Sequence, residues 1–169
     1  MFKEVKIEEL EFNPFTKIGS EWMLITAGNK EKFNTMTASW GSLGFFWGKN
    51  TATIYLRPQR YTKEFVDAND TFTIAFFDKK YKKSMGLCGS VSGRDTDKVK
   101  KAGLTPYFTN NTVSFEEAST ILVCKKLYHA AMPPENFDAK ENDEKFYPDK
   151  DYHVMYISEI VKVLKNNAK

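Results

Sequence analysis

Short apolar runs of strand-like period recur along the chain, set apart by turn residues and charged clusters. In Asn34 to Trp40, NTMTASW, residues Thr35, Thr37 and Ser39 alternate with Met36, Ala38 and Trp40. An extended backbone there carries hydroxyls on one face and apolar groups on the other. WMLITAG reads as the preceding strand and GNKEK as the polar turn between them, so these two strands are expected to pair antiparallel. TATIYL is a later apolar strand that ends in RPQRYT, where Pro58 stops ladder pairing and Thr62 is placed to cap the helix KEFVDAN. Phe65, Val66 and Asn69 share one side of that helix, which is expected to lie on the sheet. TFTIAFF, TVSF, STILVCKKLYHAAM and YHVMYISEIVKVL read as further strands, and FKEVKIEEL as an edge strand or arm. Asn13 and Pro14 are spaced as helix cap and first helical residue.

The connecting segments carry the chemistry. GSLGFFWG, between the first and second strands of the central stretch, does not match G-x-G-x-x-G and lacks its strand-turn-helix setting, which excludes a Rossmann dinucleotide site. Phe45, Phe46 and Trp47 there either pack internally or meet a ligand or a second subunit. KKYKKSM reads as a basic, solvated helix. In LCGSVSGRDTDKVKKAG, residues Gly89, Ser90, Ser92 and Gly93 form a loop, Asp95 caps a helix DKVKKA, and Gly103 ends it. Lys98 reaches a phosphate or points to solvent. PPENFDAKENDEKFYPDKD is acidic and bounded by prolines, a mobile surface loop or a short helical excursion. Arg57 and Arg60, with nearby hydroxyls and a helix N-terminus, make a site for phosphate or carboxylate.

Bulk properties narrow the function classes. A chain of 169 residues, 41% hydrophobic and 15% aromatic, is expected to form one domain over 1–169. Its net charge of +3 is far short of the excess of a protein that lives on nucleic acid. No apolar run approaches the roughly 20 residues that cross a bilayer, so no membrane association is expected. Cys88 and Cys124 make no zinc spacing and no apolar leader opens the chain, so it reads as a reduced, cytoplasmic protein with Cys124 a core thiol. His129 and His153 lie in no nucleophile motif and no metal-ligand pattern.

Four motifs in order, N-x-M-T-x-S-W, R-P-x-R-Y-T, S-G-R-D-x-D-K and the DYHVMYISEI segment, resemble the flavin reductase-like proteins of the FMN-binding split-barrel group over most of the chain. The resemblance implies a mainly β fold, a split antiparallel β-barrel with a few short helices. It also implies bound FMN, NAD(P)H as reductant, and a homodimer whose interface builds the flavin sites. Matched position by position, Asn34, Met36, Thr37, Ala38 and Ser39 belong to the strand that meets the isoalloxazine edge and ribityl phosphate. Arg57, Arg60, Tyr61 and Thr62 correspond to the phosphate clamp, and Ser90, Ser92, Gly93, Arg94 and Lys98 to the loop that closes over the flavin. Trp40 walls the ring or packs in the core. His153 corresponds to the histidine on the nicotinamide side and is the candidate catalytic residue; otherwise it is a strand-start histidine bonded to a loop. One departure is Ser158, which precedes Glu159 and Ile160 where family members often carry glycine. The resemblance implies a reductase that supplies reduced FMN to a monooxygenase or another acceptor. Its alternative is a flavoredoxin-like carrier reduced by a protein partner. A small-barrel nucleic-acid module is the third reading, disfavoured by the weak net charge.

Overall fold

In the computed structural model, which describes residues 1–109 and 111–167, the chain is mainly β. A first strand, β1 (Phe2–Val5), leads to a helical turn, α1 (Pro14–Thr16), capped by the Asn13 side chain, which accepts from the Phe15 N–H at 3.0 Å. Cap and proline thus stand where their spacing predicts. Four strands follow: β2 (Met23–Gly28), β3 (Phe33–Ala38), β4 (Gly41–Phe46) and β5 (Lys49–Leu56). Then come α2 (Tyr61–Ala68), β6 (Thr71–Phe76), α3 (Lys82–Ser90) and α4 (Lys98–Lys101). A small hairpin of β7 (Pro106–Thr109) and β8 (Thr112–Phe115) precedes the long β9 (Thr120–Ala131), α5 (Lys140–Phe146) and β10 (Val154–Asn166).

The large sheet runs β3-β2-β6-β9-β10-β5-β4, antiparallel throughout. β10 sits at its heart. One edge of β10 pairs with β9, while the other is shared, its first half with β5 and its last residues with β1. β2 and β3 pair antiparallel, Thr26 opposite Thr35, as the polar turn between them predicts.

Two apolar clusters lie on opposite faces of the strands. Ile25, Ile54, Phe72 and Tyr156 belong to one; Leu24, Phe77, Phe115 and Ile121 belong to the other. Adjacent residues of β2 feed different clusters, which is why MLITAG shows no polar alternation and is buried along its whole length. Burying a side chain such as Phe72 contributes about 1.5–3 kcal/mol.

Four local expectations are corrected. Gly41 to Phe46 is a strand, β4, and not an irregular link; it turns into β5 through Trp47 (φ 53°) and Gly48 (φ 71°). Two consecutive positive φ values match the right-handed twist of a tight hairpin, and glycine takes the second without steric cost. Thr62 is not the cap of α2. Arg60 occupies that position, and the Thr62 hydroxyl is drawn inside by Asn34. Asp97, not Asp95, caps α4, accepting from the Lys100 N–H at 3.0 Å; Gly103 (φ 67°) follows where the helix ends. Finally, α3 runs through Gly89 and Ser90, so the expected loop begins only at Val91.

Candidate functional site

β3 ends the sheet path, so among the described residues its outer edge pairs with no strand, and two helices pack beside it. α2 stands on one side, where Asn34 Nδ2 donates to Thr62 Oγ1 at 2.8 Å. α3 stands on the other, where Thr37 Oγ1 donates to the Met85 carbonyl at 2.5 Å. The hydroxyl face read from the sequence is therefore a packing face. Thr35 is fully buried, paired with Thr26 Oγ1 at 2.8 Å, and Met36 points into the core. Alternation reports which residues share a face, while the helix laid over that face decides whether a ligand can reach it. What β3 offers a ligand is its backbone edge and its exit through Ala38, Ser39 and Trp40.

Two cations meet the last turn of α3. Arg60 Nη1 donates to the Gly89 carbonyl at 3.1 Å, and Lys98 Nζ donates to the carbonyls of Cys88 and Val91 at 3.1 and 3.2 Å. A helix C-terminus has unpaired carbonyls and partial negative charge, so both contacts are favourable. Lys98 is only 4% exposed, which rules out the solvent-facing alternative. Burial holds both groups below their ordinary pKa values; Arg57 adds to the lowering at Arg60, as Arg60 does at Lys98. Neither has a carboxylate within 4 Å among the described residues. Gly93 permits the loop's close approach, since a Cβ there would lie 2.0 Å from Asn34 Oδ1. Ser92 Oγ accepts from the Arg94 N–H, Ser90 Oγ bonds back to Leu87, and Arg94 covers Tyr61 with its guanidinium 4.5 Å from the ring centre. Asn34, Tyr61, Gly93, Arg94 and Lys98 line a groove of about 850 Å³.

Arg57 has a different employment. Its Nη1 donates to both Asp151 oxygens at 2.6 Å, its Nη2 donates to the Phe146 carbonyl at 2.7 Å, and the guanidinium lies 5.2 Å from the Tyr147 ring centre. Asp151 is held below the usual carboxylate range, mainly by the Arg57 hydrogen bond. Arg57 therefore binds the chain's own acidic segment, whereas Arg60 remains uncompensated. That segment is no free surface loop at its end: Tyr147 is buried, and its hydroxyl lies 2.7 Å from His153 Nδ1. Burial, with Arg57 next, lowers the His153 pKa to about 4, so the imidazole is neutral near pH 7. Trp40, 42% exposed, packs 5.2 Å from His153 and 5.3 Å from Phe146.

The sequence-selected residues thus fall into two groups joined at Arg60. Asn34, Arg60, Tyr61, Thr62, Gly93 and Lys98 gather about α2, the glycine loop and the groove. Arg57, Trp40 and His153 gather under the acidic segment. Sequence reasoning assigned no role to Phe146 and Tyr147, although the only signal they gave was present: two adjacent aromatics before Pro148 in an otherwise charged stretch. Neither thiol suits nucleophilic chemistry, since burial pushes Cys88 up to about 11 and Cys124 higher still.

Residues 15–169 match the family described as the flavin reductase like domain. No curated protein matches the chain. Among solved structures, an FMN-binding domain of a flavin reductases-like enzyme from Shewanella baltica OS155 aligns with TM-score 0.70 at 17% identity, covering 98% of this chain and 77% of that one. A flavoredoxin of Desulfovibrio vulgaris (Miyazaki F) aligns with TM-score 0.68 at 19% identity, over 87% of this chain and 70% of that one. A flavoredoxin from Methanosarcina acetivorans gives TM-score 0.69 at 19% identity, over 98% and 76%. At these identities the structural likeness establishes the fold, a split barrel.

Proposed function

The chain belongs to the flavin reductase-like family, and from that premise we propose that it is a single flavin-binding domain that holds FMN and passes to it electrons from NAD(P)H. The observation that carries this proposal is the pair Arg60, partly buried, and Lys98, buried: cations that, among the described residues, have no carboxylate partner and stand near the unpaired edge of β3. Burying a cation costs free energy unless an anion compensates it, and a phosphate supplies two charges and several acceptor oxygens. The residues present fit that group. Arg60, Lys98 and the first N–H groups of α2 bind the phosphate. The free backbone edge of β3 and Ser39 meet the polar rim of a ring, and Trp40 gives it apolar cover.

A bound flavin supplies the ring that accepts hydride, so the protein needs no acid-base triad. The work of its side chains is to bind, orient and exclude water. Arg57 fixes the acidic segment above the site through Phe146 and Asp151. His153, neutral and beside Trp40, positions the nicotinamide by hydrogen bonding. Phe45, Phe46, Trp47 and Tyr128 are all about half exposed or more, and among the described residues no strand pairs with the outer edge of β4. We assign this aromatic face to association of two copies.

The test is the visible spectrum of the purified protein under argon, with FMN added and then NADH or NADPH. A bound flavin band that bleaches with nucleotide is expected. A flavin that binds but is bleached only by a reduced redox protein would make the molecule a flavoredoxin-like carrier. Failure to bind flavin would overturn the assignment of Arg60 and Lys98.

A further inference from the structure

Tyr147 is buried on the underside of the acidic segment, with its hydroxyl 2.7 Å from His153 Nδ1. The segment is pinned on both sides of that hydroxyl by one side chain: Arg57 takes the Phe146 carbonyl before it and Asp151 after it. The ring itself is wedged among Phe137 (5.6 Å), Tyr152 (4.9 Å) and His153 (5.5 Å). Such a tyrosine has little rotational freedom, so its phenol is a fixed partner for the imidazole.

The direction of the hydrogen bond follows from accounting for protons. Tyr147 is only 4% exposed, and among the described residues His153 Nδ1 is the one partner of its hydroxyl. The phenol proton therefore needs an acceptor, and Nδ1 is the partner within reach. Donation from Tyr147 makes Nδ1 the unprotonated nitrogen and leaves the ring hydrogen on Nε2. Nε2 has no hydrogen-bond partner among the described residues, and it is not one of their sealed, unpartnered polar atoms. Trp40 packs against the same imidazole, ring centres 5.2 Å apart.

We infer that Tyr147 is a positioning residue that holds His153 as its Nε2–H tautomer, so that the ring presents a neutral hydrogen-bond donor to an acceptor oxygen of the bound substrate. This rests on the functional assignment of His153 made above, but the tautomer can be read without any ligand. The groups facing the imidazole are Arg57 and Arg60, which oppose a second positive charge, and Asp151, which favours one. Burial disfavours the charged ring first, Arg57 already occupies Asp151, and the two cations add to the effect, so the donor is neutral near pH 7.

Two-dimensional nitrogen NMR of the histidine rings in the ligand-free protein, comparing the native chain with Tyr147→Phe, tests the tautomer directly. Only His129 and His153 contribute, and His153→Gln assigns them. The native protein is expected to show an unprotonated Nδ1 and a protonated Nε2 at His153, and Tyr147→Phe a mixture of both tautomers. A protonated Nδ1 in the native protein overturns the inference. Kinetics supply the second reading: Tyr147→Phe is expected to lower kcat for NAD(P)H oxidation about tenfold, with FMN affinity changed less than twofold and a new inflection in the pH profile. Native kinetics in Tyr147→Phe, with His153→Gln impaired, overturn the positioning role while sparing His153. Native kinetics in His153→Gln remove the functional assignment of the histidine and leave the NMR result to decide the tautomer alone.

Discussion

At the scale of single residues, the two arginines of RPQRYT look alike in sequence and differ in what surrounds them. Arg57 is spent on Asp151 and Phe146, so Arg57→Ala is expected to cost stability, about 1–3 kcal/mol in chemical denaturation. Among the described residues Arg60 bonds only the Gly89 carbonyl, so Arg60→Ala is expected to leave the melting temperature nearly unchanged and weaken FMN binding roughly 10- to 100-fold in a fluorescence titration. Gly93→Ala forces a Cβ against Asn34 Oδ1 and breaks its bond to Thr62. A loss of about 1–3 kcal/mol follows, seen as a melting temperature lower by on the order of 5 °C. His153 makes stability depend on pH. Its folded pKa, about 4, lies below the ordinary 6.5, so between these values the unfolded chain binds a proton that the folded chain refuses. Its contribution is complete above pH 6.5 and is lost as pH falls to 4, by up to about 3 kcal/mol. Thermal melts across that window are expected to fall more steeply for the native protein than for His153→Gln. These environments were only partly legible in the sequence, because a motif names residue types, whereas the partner of Arg57 lies far along the chain.

Among the elements, strands with a strong apolar signal were readable: β2, β6, β9 and β10 stand where the pattern puts them. Legibility failed where tertiary contacts override local preference. Gly89 and Ser90 read as loop residues, yet they finish α3, where the buried Lys98 takes the carbonyls of Cys88 and Val91. GSLGFF carries two glycines and still makes β4, because β5 supplies a full ladder beside it. The β4–β5 turn holds Trp47 at φ 53°, an uncomfortable conformation for a large side chain that asparagine tolerates better. If Trp47 is kept for association, Trp47→Asn is expected to leave the melting temperature of the isolated subunit unchanged or raised. The same substitution should shift the species seen by light scattering coupled to gel filtration from dimer to monomer. A dimer that persists in Trp47→Asn and in Phe45→Glu would place the subunit contact elsewhere.

For the molecule as a whole, pairing around β10 joins distant parts of the sequence: Leu56 meets Val154, and Phe2 meets Asn166. Contacts of this kind demand that a long stretch of chain be closed before any of their stabilisation is gained, which places refolding in the range of about milliseconds to seconds. The β2-β3 hairpin with β6 is local and can assemble early. The ion pair from Arg57 to Asp151, and the docking of Tyr147 on His153, must wait for β5 and β10 to zip together. Capacity for ligand is therefore expected to be the last property a refolding chain acquires. In stopped-flow experiments, quenching of added FMN should lag behind the far-ultraviolet signal of strand formation. A newly made chain would spend that interval with its backbone largely organised and its redox centre unable to load.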